Sequence, residues 1–180
     1  MHAINKGLEA AFPAEMREHA LTALETFPEP EHPPWDKFSV KVSGQTVVIP
    51  YRLYHSPTLI SSEHLTDLQS NLVDCLLTRH HNGFIRQQHL ARIIHSRHLW
   101  VPPFVVQLLG EYVVEVIAVI FDNLNDLDRS LYRSFLLENQ DFLAQTGQRV
   151  SSYWHCYYRD QNRKDYAGFK VLEYFKSLAT

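Results

Sequence analysis

The 180-residue sequence has little cysteine, no long apolar run and no excess of basic charge. Its two cysteines, Cys75 and Cys156, belong to no metal-binding spacing and are too few for a disulfide framework. We therefore expect both to be free and buried in a reducing compartment. The longest apolar stretch, residues 113–121, is interrupted by Glu115 and is too short to cross a bilayer. With no secretory signal pattern at the N-terminus, these absences predict a cytoplasmic protein without a membrane partner.

The balance of charge excludes a general attraction to phosphate. Lys and Arg number 17 against 20 Asp and Glu, which gives a formal net charge of −3. Nucleic-acid binding would therefore need a local basic patch. The hydrophobic fraction of 45% is ordinary for a globular protein, and a chain of this length can bury a core without cross-links.

Proline and glycine divide the chain into three parts of one predicted domain, residues 1–180. Residues 1–34 form a helix over 14–27 and a linker with four prolines, residues 35–60 a β-hairpin, and residues 61–180 a helical body. In the hairpin, strands over 38–42 and 46–54 flank the turn Ser43-Gly44-Gln45, and Pro50 marks an edge or a bend. A lone hairpin is marginal in water, so it should pack on the helical body or on another chain.

Helical periodicity runs through the rest of the sequence. Ser61 or Ser62 is expected to cap a helix that ends near residues 79–81, and a second helix covers 84–95. A long, nearly apolar helix should run from Pro102 to about Asn123, buried at the centre of the domain. Three shorter helices are predicted over 127–138, 148–158 and 166–177. The fold class is therefore mostly α, a compact helical bundle with one N-terminal β-hairpin.

Two motifs give the helix pair at residues 83–121 its character. The first is Asn82-Gly83-Phe84-Ile85-Arg86, and the second runs from Trp100-Val101-Pro102-Pro103-Phe104 to Glu111-Tyr112-Val113-Val114-Glu115. Together they resemble one HEAT-type repeat of about 40 residues, and the wider sequence is similar in texture to bacterial proteins. The resemblance implies an inward-reaching Arg86, which would form a structural ion pair with Glu111 or Glu115. No second copy follows, so the pair is expected inside a compact bundle and not in a solenoid.

A winged helix is an alternative interpretation of the same region. The helices predicted after residue 61 would form the three-helix unit, and the hairpin would be the wing. A recognition helix must present polar side chains to base edges and phosphates, whereas the third helix here offers valine, leucine and isoleucine. Nucleic-acid binding is therefore disfavoured.

No constellation of residues demands a particular chemistry. The eleven histidines include no HExxH, HxH or Cys/His quartet, and His80 and His81 would point apart on a helix. His155 and Cys156 are neighbours and would diverge on a helix too, so they form no nucleophile–base pair. We assign no catalytic, cofactor-binding or metal-binding residue, and an enzyme with an unrecognised site stays as a second alternative.

The interpretation favoured by the sequence is a non-enzymatic protein-interaction module, of the adaptor or neutralising type. Its partner would be another protein or a second copy of the chain. Tyrosine, tryptophan and arginine are common at interfaces, and exposed strand edges can pair with other chains. The candidate surfaces are the hairpin edge (Val40, Val47, Ile49, Tyr51) and the aromatic helix (Tyr153, Trp154, Tyr157, Arg159).

Overall fold

A computed structural model describes residue 5, residues 7–60 and residues 63–180. It divides into two compact units, Met1–Ile93 and Ile94–Thr180. The described chain is mostly helical with an antiparallel hairpin near the N-terminus, which confirms the predicted fold class. The prediction of a single domain over residues 1–180 stays a prediction.

The first unit contains three α-helices and the hairpin in its described part. In chain order its elements are the 3-10 helices Leu8–Ala11 and Ala14–Met16, α1 (Arg17–Leu24), β1 (Trp35–Val42), β2 (Gln45–Arg52), the 3-10 helix Pro57–Leu59, α2 (Asp67–Leu77) and α3 (Gly83–Ile93). The predicted helix over 14–27 is thus split into a 3-10 turn and a short α-helix. The proline-rich linker after it has neither helix nor strand, as predicted.

The hairpin turns through two residues. Ser43 and Gly44 both have positive φ, 50° and 79°, which is the geometry of a type I′ turn. Gln45 belongs to β2, where it pairs with Val42, so the predicted three-residue turn is one residue too long. One face of the sheet is buried, and β2 lies beside the 3-10 helix Leu8–Ala11. The hairpin therefore packs within its own unit.

Helix α2 begins at a capping box. The Thr66 hydroxyl accepts from the Gln69 backbone N–H at 3.2 Å, and the Gln69 side chain accepts from the Thr66 N–H at 2.9 Å. The predicted caps, Ser61 and Ser62, lie outside the described residues. The chain after β2 is then joined to the end of α2, because Leu53 bonds the backbone of residues 79 and 81 at 2.9 Å on each side.

The second unit is a set of five helices in the described chain. They are α4 (Pro102–Leu109), α5 (Val114–Asp122), α6 (Arg129–Glu138), α7 (Gln140–Tyr157) and α8 (Ala167–Leu178), with a 3-10 turn at Leu124–Asp126. All eight residues of α4 are buried, as expected of a helix with no polar face. Helix α7 begins eight residues before its predicted start at 148. Among the described helices, none combines the length and apolarity needed to cross a membrane.

The predicted single helix from Pro102 to about Asn123 is wrong, because the chain breaks between α4 and α5. Gly110 leaves helical geometry with ψ at 32°, and Val113 is extended. Glycine has a low helix propensity, which makes this a weak point in the apolar run. A Cβ on Gly110 would lie 3.2 Å from Cδ of Arg149, so the break also lets α7 approach closely.

Candidate functional site

Three tyrosine rings form an exposed cluster on the second unit. Ring centroids of Tyr112 and Tyr153 lie 6.0 Å apart, those of Tyr112 and Tyr157 also 6.0 Å, and those of Tyr153 and Tyr157 6.2 Å. Tyr157 is 64% exposed and Tyr112 48%. Tyr153 and Tyr157 are four residues apart on α7 and therefore share one face of the helix. We call Tyr112, Tyr153 and Tyr157 the tyrosine cluster.

Two further tyrosines, Tyr158 and Tyr166, connect the cluster to the rest of the second unit. The Tyr158 hydroxyl donates to the Tyr112 carbonyl at 2.8 Å and so joins the end of α7 to the segment before α5. The Tyr158 ring stacks on the buried ring of Tyr166, with centroids 5.3 Å apart. Burial raises the pKa of Tyr166 to about 12, and burial followed by the Glu115 charge raises the pKa of Tyr158. Both phenols are therefore neutral at neutral pH, so the Tyr158 hydroxyl keeps the proton that it donates to the Tyr112 carbonyl.

Trp154 and Arg159, the other predicted members of the aromatic surface, lie apart from the cluster. The half-buried Trp154 ring contacts Phe169 edge-on at 5.8 Å, and its indole N–H donates to the Gln161 carbonyl at 3.3 Å. Trp154 therefore packs α7 onto α8. Arg159 is exposed just after α7.

A basic cavity of about 410 Å³ lies beside α8. Its charged lining consists of Arg163, Lys164, Lys170 and Lys176 against one carboxylate, Glu173. The Arg163 guanidinium covers the Phe169 ring at 4.1 Å, and Phe169 is only 6% exposed. The cavity therefore supplies a local positive field but little aromatic surface for stacking a base.

Three of the four residues predicted for the hairpin surface are buried. Val40 is 4% exposed, Val47 1% and Ile49 0%, because these residues face the interior of the first unit. The alternation that suggested an apolar surface is the alternation of a half-buried strand. Tyr51 is half-buried and contacts Phe38 at 5.0 Å and the exposed Trp35 at 6.1 Å.

The inward-reaching Arg86 is confirmed as buried, at 1% exposure. Its Nη1 donates to the carbonyls of His80 at 2.9 Å and His81 at 2.8 Å, and so holds the turn between α2 and α3. Glu111 is buried and Glu115 exposed, and both belong to the second unit. The ion pair with either glutamate, like the resemblance to a HEAT-type repeat, stays a prediction.

A buried imidazole network lies at the same end of α2. His55 donates through Nε2 to the Asn5 side-chain oxygen at 2.7 Å, and His80 donates through Nε2 to the His55 carbonyl at 2.8 Å. Burial, and then the charge of His80, lowers the pKa of His55 to about 4. Burial also lowers the pKa of His80. Both rings are therefore neutral structural groups at neutral pH.

The histidine neighbours lie closer together than the sequence suggested. The centroids of His80 and His81 are 4.3 Å apart, because α2 has already ended at Leu77 and helical geometry no longer separates them. His81 stacks on Tyr54 at 5.2 Å. In the described chain no three His, Cys, Asp or Glu side chains are grouped to hold a metal ion.

The cysteines are both free, as predicted, but only one is buried. Cys75 lies in the core of the first unit, and burial raises its pKa. Cys156 is exposed on α7, so the expectation that it is buried is wrong. Cys156 lies on the face of α7 that is turned away from the core of the unit. The aromatic neighbours Tyr157 and Tyr158 did not reveal this orientation in the sequence.

Sequence reasoning missed an Asp–His pair between α2 and α3. Nδ1 of His89 lies 2.6 Å from Oδ1 of Asp74, and Nη1 of Arg92 lies 3.3 Å from the same oxygen. The three side chains line a cavity of about 350 Å³. His89 and Arg92 share a face by their i, i+3 spacing, which was a readable signal. Their pairing with a carboxylate 15 residues earlier was not readable, because it depends on how the two helices pack.

Comparison with protein-family models, with curated proteins and with solved structures finds no match to this chain. Function must therefore be argued from the sites themselves.

Proposed function

We propose that this protein is a protein-interaction module whose contact surface is the tyrosine cluster on the second unit. The observation that carries the proposal is that three tyrosine rings contact one another on the surface of this unit. Two of these tyrosines are about half exposed or more. A side chain in an ordinary core position would be covered. Tyr112 and Tyr157 instead leave 48% and 64% of their surface exposed.

Tyrosine suits this role for physical reasons. A tyrosine ring buries a large area, yet it has two side-chain torsions to immobilise, so ordering it costs little entropy. The bond from Tyr158 to the Tyr112 carbonyl fixes the base of the cluster before any partner arrives. Such preorganisation lowers the cost of binding, and energetically dominant interface residues are enriched in tyrosine. The partner we expect is a protein, of the kind that an adaptor or a neutralising protein binds, in the cytoplasm.

A crosslinking experiment tests this proposal. Benzoylphenylalanine is placed at Tyr157 and, as a matched control, at Leu137, which is 44% exposed on α6 of the same unit. Light is applied to cells that express each full-length variant. We expect a discrete adduct from position 157 and none from position 137, followed by direct measurement of Kd with the purified partner.

The affinity measurement decides the outcome. Substituting Tyr112 or Tyr157 with alanine should raise Kd by about 10-fold to 100-fold, as for central interface residues, whereas Leu137→Ala should leave Kd unchanged. Sedimentation of the purified chain distinguishes a second copy from a different partner. Equal crosslinking from positions 137 and 157, or an unchanged Kd for both tyrosine variants, would contradict the proposal.

Nucleic-acid binding is the second candidate, and the basic cavity beside α8 is the observation that favours it. Four cationic side chains could contact phosphates, and such binding falls steeply with salt. The buried Phe169 argues against base stacking. Fluorescence anisotropy with a labelled single-stranded oligonucleotide at low salt decides: no binding removes this candidate, and salt-sensitive binding lost in Lys170→Glu supports it.

A further inference from the structure

Asp74 and His89 are arranged like a general base and the carboxylate that orients it. A carboxylate only accepts hydrogen bonds, so the contact of 2.6 Å requires the proton of the neutral imidazole to be on Nδ1. Nε2 then carries the lone pair. In many hydrolytic enzymes a carboxylate likewise bonds one nitrogen of a histidine ring, and the other nitrogen transfers the proton. Both side chains are mostly buried, with exposures of 8% for His89 and 16% for Asp74.

The cavity beside the pair has room for a small molecule. Its volume of about 350 Å³ is near the lower end of ligand pockets, which begin at roughly 300 Å³. Val73, Leu77 and Ile85 give it an apolar wall, and Ser70 and Gln88 add polar groups. The pair therefore lines an open pocket as well as joining α2 to α3.

Charge indicates which substrates fit. Asp74 and Arg92 neutralise each other, so this pair offers no net positive charge to a phosphate dianion. The Arg92 side chain is 52% exposed, and its Nη1 lies 3.3 Å from Oδ1 of Asp74. Its other N–H groups are able to donate to an oxygen that becomes negative during a reaction. A neutral ester with an apolar acyl chain matches both properties.

We propose that the cavity between α2 and α3 hydrolyses small carboxylic esters, with His89 as general base and Asp74 as its positioning residue. Nε2 of His89 removes a proton from water while the water oxygen bonds to the carbonyl carbon. The carbonyl electron pair moves onto its oxygen, which accepts a hydrogen bond from Arg92. When the carbonyl re-forms, the bond to the leaving oxygen breaks and His89 returns the proton to that oxygen. One ester and one water thus become one acid and one alcohol.

The experiment uses the full chain with p-nitrophenyl butyrate as the probe. We expect saturable hydrolysis that falls about 100-fold in kcat/KM in His89→Gln, a typical contribution of a general base. Asp74→Asn should lower kcat at least 10-fold and change KM by no more than about 2-fold. The substitution keeps the shape of the pocket but disturbs the tautomer of His89. His95→Gln is the matched control, since His95 is an exposed imidazole two residues beyond α3. It should retain the full rate.

A second variant guards against misfolding of the first. Ile85→Trp fills the cavity wall and leaves the pair intact, so it should abolish saturable hydrolysis while ¹⁵N spectra still show the proton of His89 on Nδ1. Rates in His89→Gln equal to those of the unchanged chain would overturn the proposal. So would an equal loss in His95→Gln, which would reveal background catalysis by exposed imidazoles. Variants of the tyrosine cluster should leave hydrolysis unaffected, which separates this proposal from the interaction function.

Discussion

His55 and Asn5 share a buried hydrogen bond of 2.7 Å, in which Nε2 of the ring donates to the side-chain oxygen of the asparagine. Asn5 can only accept there, because its amide nitrogen donates to the Phe27 carbonyl at 3.3 Å. The other ring nitrogen of His55, Nδ1, has no hydrogen-bond partner in the described structure and is shielded from solvent. A proton added at Nδ1 would therefore place a charge in a buried site that offers it no hydrogen-bond acceptor.

This arrangement predicts that acid destabilises the protein. The pKa of His55 is about 4 in the folded chain, against an ordinary value of 6.5. The unfolded chain thus binds more protons between these values, so the stability is complete above pH 6.5, falls as pH drops toward 4 and levels off below it. We expect a loss of about 2 to 3 kcal/mol, measured by urea unfolding at pH 7 and pH 4. His55→Gln should reduce this dependence, and His80, whose pKa burial also lowers, should account for part of what remains. The exposed-site control His19→Gln should leave the dependence unchanged. An unchanged dependence in His55→Gln would assign the effect to other groups.

Arg86 should be essential for stability of the turn between α2 and α3. Removing its guanidinium in Arg86→Ala leaves the carbonyls of His80 and His81 without their donor, and we expect a loss of about 2 to 4 kcal/mol in urea unfolding. The predicted ion pair is tested with Glu111→Gln and Glu115→Gln. A double-mutant cycle should give a coupling energy near 1 kcal/mol or above with one glutamate. An unchanged melting temperature in Arg86→Ala would mean that Arg86 is not a structural residue.

Gly168→Ala should destabilise the second unit. A Cβ on Gly168 would lie 2.5 Å from the Tyr166 ring, which cannot move without disturbing Tyr158. The clash should outweigh the gain in helix propensity and lower the free energy of unfolding by about 1 to 2 kcal/mol. Gly147→Ala is the matched control, because its Cβ would meet the more adaptable Leu172 side chain at 3.2 Å and should cost much less. Thermal unfolding of the two variants compares them directly, and equal melting temperatures would contradict the prediction.

The capping box at the start of α2 should contribute as a coupled pair. Thr66→Ala removes the acceptor for the Gln69 N–H and should cost about 1 kcal/mol. Gln69→Ala removes the reciprocal bond to the Thr66 N–H. Because the two bonds orient one turn, the double variant should lose less stability than the sum of the single variants in urea unfolding. Strict additivity would show that the two bonds act independently.

Local signals in the sequence predicted much of the fold. The alternation on both sides of Ser43-Gly44 predicted the hairpin, since glycine adopts positive φ readily and two strands then meet at once. Apolar periodicity predicted the helices, and the apolar run after Pro102 predicted that α4 is buried. Boundaries were predicted less well: the start of α7 at Gln140 was missed although Asn139 is a favourable N-cap residue, and its side chain donates to the Phe135 carbonyl instead of capping α7. The break at Gly110 was missed for another reason, because the approach of Arg149 comes from a distant helix.

The sequence by itself determined the helical class and the hairpin. These depend on neighbours within one or two turns, where spacing fixes which side chains share a face. Only the tertiary structure decided that Val40 and Val47 are covered, that Tyr112 joins Tyr153 and Tyr157, and that Asp74 meets His89. Each of these facts depends on which faces of separate elements pack together. That choice is made by the summed burial of many side chains, and no local pattern records it.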